Sequence, residues 1–110
     1  MYEIIILPGV GDYINKLRQK HREKVIDFVR LLREKEGVLD EPYSKHLRGG
    51  IRELRINFGN SNHRILYAFL PAKRIMLLLA FLKSTSKTPP KFIDKAMMLY
   101  KEYKKLHKIN

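Results

Sequence analysis

The sequence predicts a small α+β domain built on a mainly antiparallel sheet, and three features of it lead there. Three β-rich runs, Ile51–Phe58, His63–Leu70 and Ile75–Leu82, follow one another. Gly59-Asn60-Ser61-Asn62 and Pro71-Ala72-Lys73-Arg74 separate them and carry turn residues. Amphipathic helical patterns flank the runs on both sides in sequence, from Gly11 to Glu36 and again after Pro89. With 110 residues, no internal repeat and no linker, the chain reads as one domain, 1–110, large enough for a two-layer core.

The elements follow in order. Tyr2–Leu7 is a short strand closed by Pro8-Gly9. Asp12 is a candidate N-cap for the helical stretch, with Tyr13, Ile14 and Leu17 as a first apolar stripe and Val25, Ile26, Phe28, Val29 and Leu32 as a second. A break near Gln19–His21 would make a helical hairpin, and one bent helix fits the pattern equally well. Gly37 is suited to a C-cap, and Glu41-Pro42 enforces an extended connection. Lys45-His46-Leu47-Arg48-Gly49-Gly50 reads as a basic loop. Of the three strands, Ile75–Leu82 is almost wholly apolar, as in a strand buried on both faces. Lys83–Pro90 is a polar, basic loop in which Thr88 can cap the last helix, with Pro89 at its first position. That helix runs to about His107, with Ile93, Ala96, Met97, Tyr100 and Tyr103 inward and lysines on the rest. The predicted order is β-α(α)-β-β-β-α, with the helices packed on one face of the sheet.

Turn length decides which side chains share a face. If Phe58 faces His63 and Leu70 faces Ile75, then Asn57 pairs with Arg64, Arg55 with Leu66 and Arg64 with Phe81, and Lys83 lies opposite Asn62. Arg55, Asn57, Arg64 and Lys83 then share one face at one end of the sheet. Leu54, Ile56, Phe58, Ile65, Tyr67, Phe69, Met76, Leu78, Ala80 and Leu82 form the opposite, core face.

Lys and Arg number 23 against 11 Asp and Glu, a net charge of +12 with a pI near 10.1. That excess suits a polyanionic partner, and the alternative is a solvated basic surface. There is no cysteine for disulfide or thiolate chemistry. No apolar run is long enough to span a bilayer, and the N-terminal MYEIIILPG lacks the features of a signal peptide, so no membrane partner and a cytoplasmic location are expected. His21, His46, His63 and His107 lack partners at metal-ligand spacing, Gly9-x-Gly11 and Gly49-Gly50 are too short for a phosphate loop, and Glu53 is the only acid in the hairpin strands. Neither a metal nor another cofactor is therefore expected.

The cations remain. Arg55, Arg64, Lys83 and Lys87 are the candidate catalytic set, because clustered arginine and lysine can stabilise a pentavalent phosphorane on RNA whose own 2′-hydroxyl attacks. A lysine crowded by arginines has a lowered pKa and can serve as the base, a role open to Lys83 or Lys87. The competing reading makes them solvent-facing residues at a sheet end. Lys45, Arg48, Arg52 and Lys91 are the further candidates for RNA binding. His63, beside a turn, reads as a surface residue, and Tyr67 as packed with its hydroxyl at the rim. Tyr100 and Tyr103 pack the last helix, with the option that one reaches the cluster as a proton donor.

Lys45-x-Leu47-x-x-Gly50-Ile51-x-Glu53-Leu54-Arg55, Arg64-Ile65-Leu66-Tyr67, Leu78-x-x-Phe81-x-Lys83 and Thr85-x-Lys87-Thr88-Pro89 together resemble the phage-derived HigB-like branch of the RelE/ParE toxin superfamily over nearly the whole chain. The resemblance implies a RelE-like fold and a type II toxin that cleaves mRNA on the ribosome without a metal. It also implies a cognate helix-turn-helix HigA-like antitoxin. By position, Arg55 and Arg64 match strand residues that contact the scissile phosphate, and Lys83 and Lys87 match the basic end of the last strand and its loop. Where the branch has two successive basic residues, this chain has Lys83-Ser84. The other classes to weigh are a non-enzymatic module binding antitoxin or nucleic acid, and a gyrase inhibitor of the ParE type.

Overall fold

Two tight reversals set the architecture. Gly59, at φ 59°, and Asn60 form a two-residue turn, and Pro71–Lys73 form a three-residue turn with Ala72 and Lys73 at φ 64° and 55°. They join the central strands of a sheet ordered β1-β5-β4-β3-β2. The structure, a computed structural model, describes residues 1–110. Its elements are β1 (Glu3–Ile6), α1 (Pro8–Asn15), α2 (Gln19–Glu34), β2 (Ser44–Arg48), β3 (Ile51–Phe58), β4 (Ser61–Leu70), β5 (Arg74–Leu82) and α3 (Pro90–Leu106). Only the β1–β5 pairing is parallel. The α+β class and the mainly antiparallel sheet are as the sequence predicts.

The register differs from the predicted one in detail. Phe58 faces Ser61 rather than His63, so Arg55 lies directly across from Arg64. Leu70 faces Arg74, and the odd turn length shifts the start of β5 by one residue. A bulge then corrects it: Tyr67 pairs with Leu77 but Leu66 with Leu79, leaving Leu78 as the extra residue. Beyond the bulge Arg64 faces Phe81 as predicted, and the Lys83 N–H donates to the Asn62 carbonyl at 2.8 Å. The cost of the shift falls on Met76 and Leu78, which lie on the face opposite to the one predicted.

Helices cover both faces, not one. Leu54, Ile56, Ile65, Tyr67, Ile75 and Leu77 pack with Val10 and Ile14 of α1 and Val25 and Leu32 of α2. On the other side Ile51, Leu66, Ala68, Leu70, Met76 and Leu78 pack with Ala96 of α3 and its neighbours Phe92, Met97, Tyr100 and Tyr103. The cause is in the strands: β4 and β5 are apolar at both alternating positions, so each face must be removed from water.

Several boundaries also move. Pro8 opens α1 at its first turn, where its fixed φ fits and its missing N–H is not needed, so Asp12 lies inside the helix instead of capping it. The helical stretch does break, at Lys16–Arg18, and the Arg22 guanidinium donates to the Asn15 and Leu17 carbonyls left open there, at 3.3 and 3.1 Å. Lys45–Arg48 belongs to the edge strand β2 rather than to a loop. Pro89, not Thr88, is the N-cap of α3.

Two polar ties anchor α1 and α2 to the sheet. Gly37, at φ 89° after α2, leaves room where a Cβ would strike the Phe69 ring, and its carbonyl accepts from the fully buried Tyr67 hydroxyl at 2.7 Å. His63, expected at the surface, is only 2% exposed. Tyr13 Oη lies 2.7 Å from its Nδ1, and His21 Nδ1 lies 3.0 Å from its Nε2, forming one hydrogen-bonded chain from α1 through β4 to α2.

Tyr67→Phe leaves the Gly37 carbonyl without its buried donor and should cost about 1–2 kcal/mol in urea unfolding. Burial, then His21 and Arg64, hold His63 below the usual histidine range. The unfolded chain thus binds a proton that the folded chain resists, so stability is full above the ordinary histidine value of about 6.5 and is lost as pH falls from there through the lower value of the folded state. His63→Gln, which cannot titrate, should flatten the dependence of Tm on pH in that window.

Candidate functional site

Alternation along β3 sends Glu53, Arg55 and Asn57 to the α3 side of the sheet, and alternation along β4 sends Arg64 there as well. Directly opposed like charges repel, so the Arg55–Arg64 pairing needs a compensating group. Glu53 supplies it. Its carboxylate is fully buried, and Oε1 accepts from Arg55 Nε at 3.0 Å while Oε2 accepts from the Thr88 hydroxyl. The second contact ties the loop after β5 to the sheet. Within that loop the Thr85 hydroxyl donates to the Lys87 carbonyl at 2.6 Å and fixes the backbone that carries Lys87.

These groups border an open cleft of about 320 Å³ at the end of the sheet, with Lys45, Glu53, Arg55, Lys83, Lys87 and Thr88 around it and Leu47 and Ile93 as apolar walls. Arg64 adjoins the cleft from within the sheet and is only 6% exposed. Its Nη1 donates to Asn57 Oδ1 at 2.8 Å and to the His63 carbonyl at 2.9 Å, while its buried Nε has no partner. Burial lowers the Arg64 pKa, Glu53 acts to raise it and Arg55 to lower it; an arginine so placed remains a fixed cation at any working pH. Lys83 is also lowered, first by burial, with Glu53 opposing and Arg64, Arg55 and Lys45 adding to the depression. Its free amine is therefore available at lower pH than that of an ordinary lysine.

Of the eight cations singled out from sequence, the fold brings Arg55, Lys83, Lys87 and Lys45 around one cleft, with Arg64 beside it. Three stand elsewhere. Arg48 pairs with Asp94 of α3 and reaches Met97 Sδ at 3.0 Å. Arg52 points to the α1–α2 side, its Nε 3.3 Å from the Tyr67 hydroxyl. Lys91 lies over the Phe92 ring, 5.2 Å from its centroid, at the start of α3. Neither helix tyrosine lines the cleft: the Tyr100 hydroxyl donates to the Phe69 carbonyl at 2.6 Å, and Tyr103 stacks on His107. Sequence reasoning passed over Glu53 as the hub, Asn57 as the partner orienting Arg64, and Thr88 as the loop's tie. A lone carboxylate between cationic strand positions was the available signal for the first.

The family model described as "Phage derived protein Gp49-like (DUF891)" matches residues 12–101, and the chain belongs to that family. Among solved structures, the fold is shared with a chain from the "archaeal RelE-RelB complex from Pyrococcus horikoshii OT3", at a TM-score of 0.58 and 21% identity, over 77% of this chain and 98% of that one. The fold is therefore RelE-like. No curated protein matches the chain significantly in sequence.

Glu53→Gln keeps the volume but removes the counter-charge from the buried Arg64 and the half-buried Arg55 and Lys83, and should lose about 3 kcal/mol of stability in urea unfolding at low salt. Raising the ionic strength should recover part of that loss by screening the exposed members of the cluster.

Proposed function

We propose that this member of the Gp49-like family is the toxin of a type II toxin–antitoxin pair, an mRNA endoribonuclease that acts on the ribosome and inhibits translation. The observation that supports it best is the convergence of Arg55, Lys83 and Lys87 on one cleft, with Arg64 held as a buried cation behind them. The cleft's single carboxylate is already engaged by Arg55 and Thr88, so its chemistry is cationic.

In this reading the substrate's 2′-hydroxyl attacks the adjacent phosphorus. Lys83, in its free-amine form, takes the hydroxyl proton. The P–O5′ bond breaks as the new O2′–P bond forms, leaving a 2′,3′-cyclic phosphate, and the 5′-oxygen takes a proton from Lys87 or from water at the open mouth. Arg55 Nε is occupied by Glu53, which leaves the other guanidinium nitrogens for a non-bridging phosphate oxygen. Arg64 contributes a charge already stripped of water, so it stabilises the transition state without reorganising. A cognate antitoxin of the HigA-like, helix-turn-helix kind is the proposed neutralising partner; the structural neighbour, itself part of a RelE–RelB complex, supports a partner in general. A second reading, binding without cleavage, is favoured by Ser84, which places a neutral side chain beside Lys83.

Mapping of mRNA 5′ ends after brief induction, and in a reconstituted translation system, tests the choice. Ribosome-dependent cuts should fall about 100-fold or more in a folded Arg55→Ala protein. The cleavage rate should rise with pH to a plateau as Lys83 loses its proton, and Lys83→Arg should remove that rising limb. A folded wild-type protein that cuts no message, with or without ribosomes, leaves the binding reading.

A further inference from the structure

A second basic cleft lies at the same end of the sheet but on its other face. It has a volume of about 340 Å³ and its rim carries Lys16, Leu17 and Arg18 from the α1–α2 junction, Ser61 from the start of β4, and Leu82 from the end of β5. Its floor is the hydrogen-bonded chain of Tyr13, His63 and His21. No acid lines it. The ion pairs of the protein are Arg30–Asp27, Arg48–Asp94 and Arg55–Glu53, so Lys16 and Arg18 are both uncompensated. Leu82, beside them, is 55% exposed.

The two clefts are neighbours around the sheet's end. Leu82 and Lys83 are consecutive and point to opposite faces, Leu82 into the rear cleft and Lys83 into the front one. Lys83 is bound through its N–H to Asn62, the residue after Ser61. A strand held by its scissile phosphate in the front cleft can leave over this end, and the first groups it meets behind are the two free cations and the two leucines.

We propose that the rear cleft is an extension site for the single-stranded RNA cut in the front cleft, a proposal that rests on the endoribonuclease reading above. Lys16 and Arg18 take backbone phosphates, the Ser61 hydroxyl donates to a phosphate oxygen, and a base lies against Leu17 and Leu82. Phosphate contacts of this kind position a strand without reading its sequence. The site therefore adds length dependence to binding and no base preference.

The test is fluorescence anisotropy with 2′-O-methyl RNA, which binds but lacks the attacking hydroxyl, as a tetramer and a dodecamer. The protein is compared with Lys16→Ala/Arg18→Ala, both exposed positions, after circular dichroism shows the variant folded. The variant should bind the dodecamer about tenfold more weakly, with the log K against log salt slope shallower by about 1.4, or 0.7 for each of two phosphates lost. Its affinity for the tetramer should be unchanged, while Arg55→Ala weakens both. Unchanged dodecamer binding by the folded double variant overturns the extension site and leaves the endoribonuclease reading standing if wild type still cuts message. Loss of poly-glutamate binding with RNA binding intact assigns the cleft to an acidic protein and also overturns it. A wild type that binds neither RNA overturns the extension site, and the endoribonuclease reading is then decided separately by whether wild type cuts message on ribosomes.

Discussion

The candidate site exists because of residue counting. Side chains of a strand alternate faces, so a cluster drawn from three strands survives only if every connection preserves parity. The two-residue Gly59-Asn60 turn does so and sets Arg55 against Arg64. The three-residue Pro71–Lys73 turn does not, and would send the end of β5 to the wrong face. One extra residue, Leu78, repairs the register before Phe81 and Lys83 are reached. β5 thereby serves both cores along its length, with Ile75, Leu77 and Ala80 on the α1–α2 side and Met76 and Leu78 on the α3 side.

Electrostatics then hold what parity assembles. Burial first, and then the neighbouring cations, work against the charged forms of Arg64 and Lys83. A fully buried carboxylate at Glu53 is unfavourable alone and becomes tolerable among these cations, with both oxygens accepting hydrogen bonds. The arrangement is buried and hydrogen-bonded at Glu53 and Arg64 and open to solvent at Lys45 and Lys87. α3 closes most of that face of the sheet, and the loop tied down by Thr88 leaves only its end accessible. The orphaned Nε of Arg64 belongs to this pattern, since it is a buried donor of the cluster that the fold leaves without a partner.

The local signals in the sequence were strong where period and composition agreed. β3, β4, β5 and α3 are legible to within a few residues, and so is the shared face of Arg55, Arg64 and Lys83, because an error of two in the register leaves parity untouched. Lys45–Gly50 reads as a loop because it is short and cationic, and the part of it in β2 owes its strand form to pairing with β3. The coverage of both faces was half visible: Ile75–Leu82 signals a strand buried on both sides, but which helix goes where depends on contacts distant in sequence. His63 reads as a surface residue for the same reason, its partners lying 50 and 42 residues away. Thr88 fits a cap by pattern, yet its hydroxyl is turned to the sheet, where it donates to the buried carboxylate of Glu53, and Pro89 takes the capping position. Arg48, Arg52 and Lys91 show the limit of charge counting, since a basic residue near the site in sequence finds its own partner elsewhere.

The edge strand β2 has one more consequence. An unpaired edge is an invitation for another chain to add on, and here it displays Lys45, His46 and Arg48 along a ladder whose register already slips between His46 and Arg48. A second copy approaching edge to edge brings the same cations, on a body with net charge +12. That basic edge thus acts as a colloidal spacer, keeping like molecules from growing into a continuous sheet.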